Sequence, residues 1–145
     1  MTNNGKVRAV GINHVALEVG HIGEALAFYG QLFDLTLNSQ SETSAFIALG
    51  DQFIALFKSD SGRHFGLVVD DPARGKAILE GMGVTFMDGP GVNFNDPWGN
   101  YVQLVTYEKI QFDMTPGVLR GMGMDDLEKT AAAKQEIADQ GYGDD

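Results

Sequence analysis

The chain contains no cysteine. Disulfide scaffolds, cysteine-zinc sites, thiolate nucleophiles and redox dithiols are therefore excluded together. Positive charge is scarce as well: 10 Lys and Arg stand against 20 Asp and Glu, a formal net charge of -10. Such a surface repels phosphate backbones and anionic lipid, so neither nucleic acid nor a membrane is an expected partner. No apolar run approaches the ~18 residues that a bilayer span requires. The polar start Met1-Thr2-Asn3-Asn4-Gly5 lacks the apolar stretch of a secretion signal, and the expected location is the cytoplasm. Familiar catalytic loops are missing too. There is no Walker-type loop, no Gly-x-Ser-x-Gly elbow and no second histidine at the spacing of a helical zinc site. Gly89-Pro90-Gly91 is not a dinucleotide loop, because Pro90 has no amide proton and no third glycine follows, so no nucleotide cofactor is expected.

What is present is 145 residues of globular composition, the size of one ordinary domain. A chain of this length buries roughly 70% of its unfolded surface and needs no cross-link to fold. Its 19 glycines fall largely at the ends of short patterned segments, as turn punctuation. From Ile12 to Val19, Val15, Leu17 and Val19 alternate with His14, Ala16 and Glu18, the pattern of a half-buried strand. Ile22, Ala25, Leu26, Tyr29, Leu32 and Phe33 then recur in steps of three and four, which predicts an amphipathic helix. Three strands follow, over 35–40, 45–49 and 52–58, the last two joined by a tight turn at Gly50-Asp51.

A second round begins at Arg63. A strand over 63–69 leads to a helix opened by Asp71 and Pro72 and closed by Gly83. Strands over 84–87, 92–95 and 100–107 complete it, with Asp96-Pro97-Trp98-Gly99 as a turn. The two rounds align. Asn13–Val19 matches Arg63–Val69 at an offset of 50, which superposes His14 on His64, and Phe53–Phe57 matches Tyr101–Val105 at an offset of 48. The order strand-helix-strand-strand-strand, twice, defines an α+β fold of two related βαβββ modules, about 10–58 and 63–107.

Residues 108–145 lie outside the repeat and carry four basic against nine acidic residues. Thr115-Pro116 opens a short helix, and a longer one is expected from Asp125 to Gln140. Its thin apolar stripe, Leu127, Ala131, Ile137 and Ala138, is expected to pack on the sheet or on a partner subunit. Residues 141–145 are expected to fray.

Of three histidines, His21 reads as a surface residue at a strand-helix junction. His14 and His64 occupy matching strand positions, opposite the apolar face. Two imidazoles related by the repeat and facing the inside of a curved sheet suit a divalent ion; two hydrogen-bonded histidines are the simpler alternative.

The segments Ile12-Asn13-His14-Val15-Ala16-Leu17, Ala27-Phe28-Tyr29, Arg63-His64-Phe65-Gly66-Leu67 and Asp96-Pro97-Trp98-Gly99-Asn100-Tyr101-Val102-Gln103-Leu104 resemble the vicinal oxygen chelate superfamily. That superfamily includes glyoxalase I, extradiol dioxygenases, fosfomycin-resistance transferases, methylmalonyl-CoA epimerase and bleomycin-resistance proteins. The resemblance covers residues 10–107 and implies a curved mixed sheet and a homodimer. It also implies metal ligands at four positions, occupied here by His14, Ala55, His64 and Gln103. Ala55 cannot ligate, and Gln103 stands where an acid is usual, so His14, His64 and Gln103 are the candidate ligands for Fe, Mn, Zn or Ni. Tyr101 and Val105 share the strand face of Gln103, and Phe53 and Phe57 that of Ala55, so Phe53, Ala55, Phe57 and Tyr101 are the candidate pocket for a small-molecule ligand. Glu18, on the side of His14, is a candidate base or a solvent-facing residue at the sheet edge. Two functions follow: a metal-dependent enzyme of the glyoxalase and dioxygenase kind, or a metal-free binding protein of the bleomycin-resistance kind.

Overall fold

The computed structural model describes residues 5–58 and 62–142; the expected fraying of 143–145 lies outside the described residues. The first module is built from β1 (Ala9–Val19), α1 (Ile22–Leu32), β2 (Leu37–Gln40), β3 (Ser44–Leu49) and β4 (Gln52–Lys58). The second repeats the order with β5 (His64–Val69), α2 (Pro72–Met82), β6 (Thr85–Met87), β7 (Val92–Asn95) and β8 (Tyr101–Thr106). All eight strands form one mixed sheet in the order β2-β3-β4-β1-β5-β8-β7-β6. In each module the first strand runs parallel to the last, and the modules join where β1 and β5 pair antiparallel. The repeat is thus a physical symmetry: His14 lies beside Phe53 across β1–β4, and His64 beside Tyr101 across β5–β8.

Local chemistry explains the elements. His21, exposed, caps α1 by accepting from the Glu24 amide at Nδ1. Asp71 caps α2 by accepting from the Arg74 amide, Pro72 fills the first turn, and Gly83 closes the helix at φ 74°. Helix α1 covers one flank of the sheet with Ile22, Ala25, Leu26 and Tyr29 against Leu17, Val19 and Leu56. Leu32 and Phe33, placed on the same stripe by the sequence pattern, are instead 69% and 58% exposed, because Phe33 already leaves the helix as its C-cap. Val15 also departs from its expected cover. The two helices lie over the flanks, and Val15 and Ile12 on the central strand are exposed.

The chain after β8 turns back onto the central strands of the sheet. Helices α3 (Pro116–Gly121) and α4 (Ala131–Asp139) carry it. Tyr107, Phe112, Leu119 and Met124 form a core with Val10 and Val68 of β1 and β5, with Val105 and Leu127 packed against it. The extension therefore docks on its own chain's sheet. The long helix expected from Asp125 begins at Thr130, whose hydroxyl accepts from the Ala133 amide. Residues 125–129 are committed elsewhere. The Arg8 guanidinium forks onto Asp126 at 2.9 and 2.8 Å and onto Asp70 at 2.7 Å. Both carboxylates raise the Arg8 pKa, Asp126 more than Asp70. Lys129 Nζ donates to the carbonyls of Tyr107 and Ile110 at 2.5 and 2.9 Å and stands over the Tyr107 ring. The buried residues of α4 are Ala133 and Ile137, whereas Ala131 and Ala138 face solvent.

Burial lowers the Lys129 ammonium to about 8, against the opposing pull of Asp113 and Asp51. The unfolded chain holds that proton up to pH ~10.4. Between pH 8 and 10 it therefore binds more protons than the folded chain, and stability rises with pH across that window. For a half-buried side chain the gain is about 1 kcal/mol after discounting for screening. Urea titrations at pH 8, 9 and 10 are expected to show this rise in the parent and to lose it in Lys129→Met; an equal slope in both would sink the assignment.

Candidate functional site

The inner face of the sheet carries a cavity of 430 Å³, within the range of small-molecule sites. Its two walls are the corresponding strands of the two modules and differ in character. From the first module come Phe46, Phe53, Ala55 and Phe57, an apolar wall in which Phe46 meets Phe53 and Phe57 edge to face. From the second come Asn93, Tyr101, Gln103 and Val105, with Asp88, Gly89 and Pro90 alongside. The pairing makes the correspondence explicit: Phe46 sits beside Ala55 where Asn93 sits beside Gln103.

His14 and His64 meet at the seam, with 3.2 Å between their Nε2 atoms. His14 Nδ1 lies 2.9 Å from the side-chain oxygen of Asn13, and His64 Nδ1 lies 3.0 Å from the carbonyl oxygen of Gly62. Both oxygens only accept, so each ring donates from Nδ1, and a neutral ring then offers its lone pair at Nε2. Two bare lone pairs converge on one point. Burial is the main force lowering the His14 pKa to about 4, and the neighbouring His64 adds to it, so His14 is neutral near pH 7. Each ring is also held flat against the residue paired to it. Phe53 stacks on His14 at 4.6 Å and Tyr101 on His64 at 4.5 Å between centroids.

Gln103 completes the group. Its amide nitrogen donates to the carbonyl of Pro90 at 2.7 Å, and its side chain lies close enough to His14 to favour the protonated form of that ring. With the nitrogen committed to Pro90, the carbonyl oxygen is the atom turned toward the histidines. Asn93 donates to the same Pro90 carbonyl at 2.9 Å and accepts from the Tyr101 hydroxyl at 3.0 Å. Gly91 lets this corner form. It sits at φ 76°, and a Cβ there would lie 2.5 Å from the Leu104 carbonyl oxygen. The Gly-Pro-Gly corner thereby presents one carbonyl to two amides.

The structure thus brings His14, His64 and Gln103 together and lines the cavity with Phe53, Ala55, Phe57 and Tyr101. Glu18 is not among the lining residues. Its carboxylate accepts from the Gly62 amide at 3.4 Å and lies 3.6 Å from the Arg63 guanidinium, near the end of the central strand β1 and not at the expected sheet edge. Sequence reasoning missed Asn13, Phe46, Asp88, Pro90 and Asn93. Asn13 was available as the neighbour of His14 in the motif, and Pro90 as the centre of a Gly-Pro-Gly corner. Asn93 left no signal of its own.

These donors fit a divalent ion. A first-row metal holds imidazole nitrogen at about 2.0–2.1 Å, which places two adjacent donors about 3 Å apart. The 3.2 Å between the two Nε2 atoms matches that spacing. Among the described residues, no group of three or more His, Cys, Asp or Glu converges, and the polar side chain beside the two histidines is the neutral amide of Gln103.

The model of the Glyoxalase/Bleomycin resistance protein/Dioxygenase superfamily matches residues 11–104, and the chain belongs to that family. A search of curated proteins finds no match. Among solved structures, homoprotocatechuate 2,3-dioxygenase from Brevibacterium fuscum, in its anaerobic complex with 3,4-dihydroxyphenylacetate, aligns at TM-score 0.59 and 14% identity, covering 68% of this chain and 36% of that one. The Mn(II)-bound glyoxalase from Novosphingobium aromaticivorans aligns at TM-score 0.55 and 18% identity, covering 70% of this chain and 40% of that one. A hypothetical protein, BH1468 from Bacillus halodurans, aligns at TM-score 0.53 and 15% identity, covering 76% of this chain and 98% of that one. The chain spans only about a third of the dioxygenase and 40% of the glyoxalase, and at these identities the likeness is one of fold. No helix among the described residues is long and apolar enough to cross a membrane.

Proposed function

We propose that this protein is a metal-dependent enzyme acting on a small molecule with adjacent oxygen atoms. A divalent ion held by His14, His64 and Gln103 serves as its Lewis acid. The observation that carries the reading is the pair of Nε2 atoms 3.2 Å apart, each ring fixed by an acceptor at its Nδ1. Outer hydrogen bonds of this kind orient histidine ligands and set their tautomers. When bound, the ion would polarise substrate oxygens and stabilise a developing oxyanion or enolate.

The chain's own residues do the rest. Phe46, Phe53 and Phe57 hold the apolar body of the substrate and exclude water on that side. Asn93 and Pro90 keep the Gln103 amide in one orientation. Tyr101 packs against His64 while its hydroxyl is spent on Asn93, and burial raises its pKa, so it acts as a wall rather than as a proton acceptor.

The second reading is a metal-free ligand-binding protein. It is favoured by Ala55 and by the lack of an acidic side chain beside the two histidines, since a cavity with a largely apolar wall holds a small apolar molecule without help. Metal content separates the two. Untagged protein purified without chelators and dialysed into trace-metal-free buffer is expected to carry near-stoichiometric Fe, Mn, Zn or Ni. His14→Ala and His64→Ala are each expected to lose it. Absence of metal, even after incubation with those four ions, would overturn the enzyme reading in favour of the second.

A further inference from the structure

We propose a second small-molecule site on the outer face of the first module, beneath the end of α1: it takes an aromatic ring on a short cationic chain, the class of the arylalkylamines. The site shares no lining residue with the histidine cavity and stands whether or not the histidines hold metal.

The repeat supplies its own control. Leu17, Tyr29, Leu35, Ile47 and Ile54 line a cavity of 360 Å³. Strand pairing identifies the counterparts of these residues. Ile47 lies beside Ile54 in β3–β4 as Phe94 lies beside Val102 in β7–β8. Leu37 lies beside Ile47 as Phe86 lies beside Phe94. The offset of 50 that aligns His14 with His64 also aligns Leu17 with Leu67 and Tyr29 with Leu79. In the second module these positions form one packed cluster, with Leu67, Phe86 and Phe94 against Leu79 and Val102. In the first module an isoleucine and a leucine stand where the second has two phenyl rings, and Leu37 is itself exposed. The cavity opens at Ile47, where the second module has the Phe94 ring.

The lining sets the chemistry of the occupant. Among the described residues, Tyr29 and Asp34 are its only polar side chains, and Phe33 and Leu49 stay exposed at its mouth. An apolar ring seated there removes that surface from water. Volume sets the size: the cavity lies near the lower end of small-molecule sites, with room for one ring and a short chain. Charge sets the head group. The lining holds Asp34 and no Lys, Arg or His, and the chain carries a net charge of -10. An anionic head is repelled there, and a cationic one is drawn to the Asp34 carboxylate. Ile54 lines this cavity while its neighbours Phe53 and Ala55 line the histidine cavity, so the two sites sit back to back on β4.

The test uses 4-fluorophenethylamine and 4-fluorophenylacetate, one ring with opposite charges, each followed by broadening of its fluorine resonance as protein is added at low salt. The amine is expected to bind with a Kd of about 1 mM or tighter. The carboxylate is expected to bind about fivefold more weakly, the size of an exposed charge contact. Ile47→Phe, which copies Phe94, is expected to weaken the amine at least tenfold with its fold intact by circular dichroism. Leu49→Trp, at the exposed mouth, is read in its place where Ile47→Phe does not fold, and the same loss is expected. Asp34→Asn is expected to bring the two ligands within twofold of each other, and His14→Ala to bind the amine as the parent does. No binding by the parent at amine concentrations tenfold above that Kd would overturn the site, and so would an unchanged affinity in whichever filled variant folds. Loss of the amine in folded His14→Ala would place it in the histidine cavity instead. A carboxylate bound as tightly as the amine would refute the charge class. Sedimentation of the ligand-free protein covers the remaining case: a dimer that excludes the amine, and that Ile47→Phe dissociates, would show that a second copy closes the cavity and would overturn the proposal.

Discussion

Gly66→Ala is expected to push His14 out of the site, lower the melting temperature by about 6–12 °C and abolish metal retention. Gly66 is paired with His14 across β1–β5 and with Gln103 across β5–β8, at the middle of the sheet. A Cβ at position 66 would lie 2.2 Å from His14 Cε1, 2.3 Å from its Nδ1 and 2.4 Å from the Asn13 side-chain oxygen. Those distances lie far inside contact, and the groups concerned are a buried ring and a buried amide rather than the end of a mobile chain. The His14 ring has to leave. Overpacking a tight interior costs about 1–3 kcal/mol. Losing the His14–Asn13 hydrogen bond adds about 1 kcal/mol. For a chain of this length each kcal/mol is about 3 °C. Gly81→Ala is the matched control, because Gly81 lies in α2 and a Cβ there would meet nothing within 4 Å. There alanine is expected to hold or raise stability, since it is the better helix former by about 1 kcal/mol. Calorimetry and elemental analysis of the two variants settle the matter. A Gly66→Ala protein that melts within 2 °C of the parent would show that the inner face has room the distances deny.

Gly66 also illustrates what a sequence can and cannot disclose. The repeat was legible because strand periodicity is local: His14 and His64 occur in equivalent strands, and the offset that aligns them also aligns Phe53 with Tyr101. From that follow the order of elements, the shared inner face and the meeting of the two rings. The need for a glycine beside His14 is set by a strand pairing across 52 positions of sequence and leaves no local pattern. For Pro90 the Gly-Pro-Gly corner marked the place but not the role, since its contribution is a backbone carbonyl and no side-chain chemistry announces it. The extension misled for a third. Asp125 and the alanines after it are good helix material. The start of the helix is decided instead by Arg8, 118 residues from Asp126, and by Lys129 reaching back to the end of β8. Local propensity yields to tertiary ion pairs and buried carbonyls when these take up the residues of a first turn.

Phe112→Ala is expected to destabilise the whole molecule, by about 3–5 kcal/mol, rather than to release the extension alone. Phe112 is 3% exposed, and its ring lies so close over Gly11 that a Cβ there would come within 2.7 Å of it. Removing a buried phenylalanine costs about 3–5 kcal/mol through lost burial and the cavity left behind. What decides between local and global failure is the surface beneath. Val10 and Val68, 2% and 0% exposed, are covered by this segment. They belong to β1 and β5, the strands that join the two modules and carry His14 and His64. Polar ties reinforce the seam from both sides. The Asp113 amide donates to Asp51 in the β3–β4 turn at 2.8 Å, the Tyr107 hydroxyl donates to Asp113 at 2.5 Å, and Gln111 and Gln140 exchange amide hydrogen bonds. Lifting the extension would therefore wet the strands on which the site is built, and one cooperative transition about 10–15 °C lower is expected at about 3 °C per kcal/mol. Hydrogen exchange is the sharper measurement. Protection of α4 and of the central strands is expected to fall together. If only the extension lost protection while β1 and β5 kept theirs, the segment after β8 would be an independent cover, and the stability of the site would not depend on it.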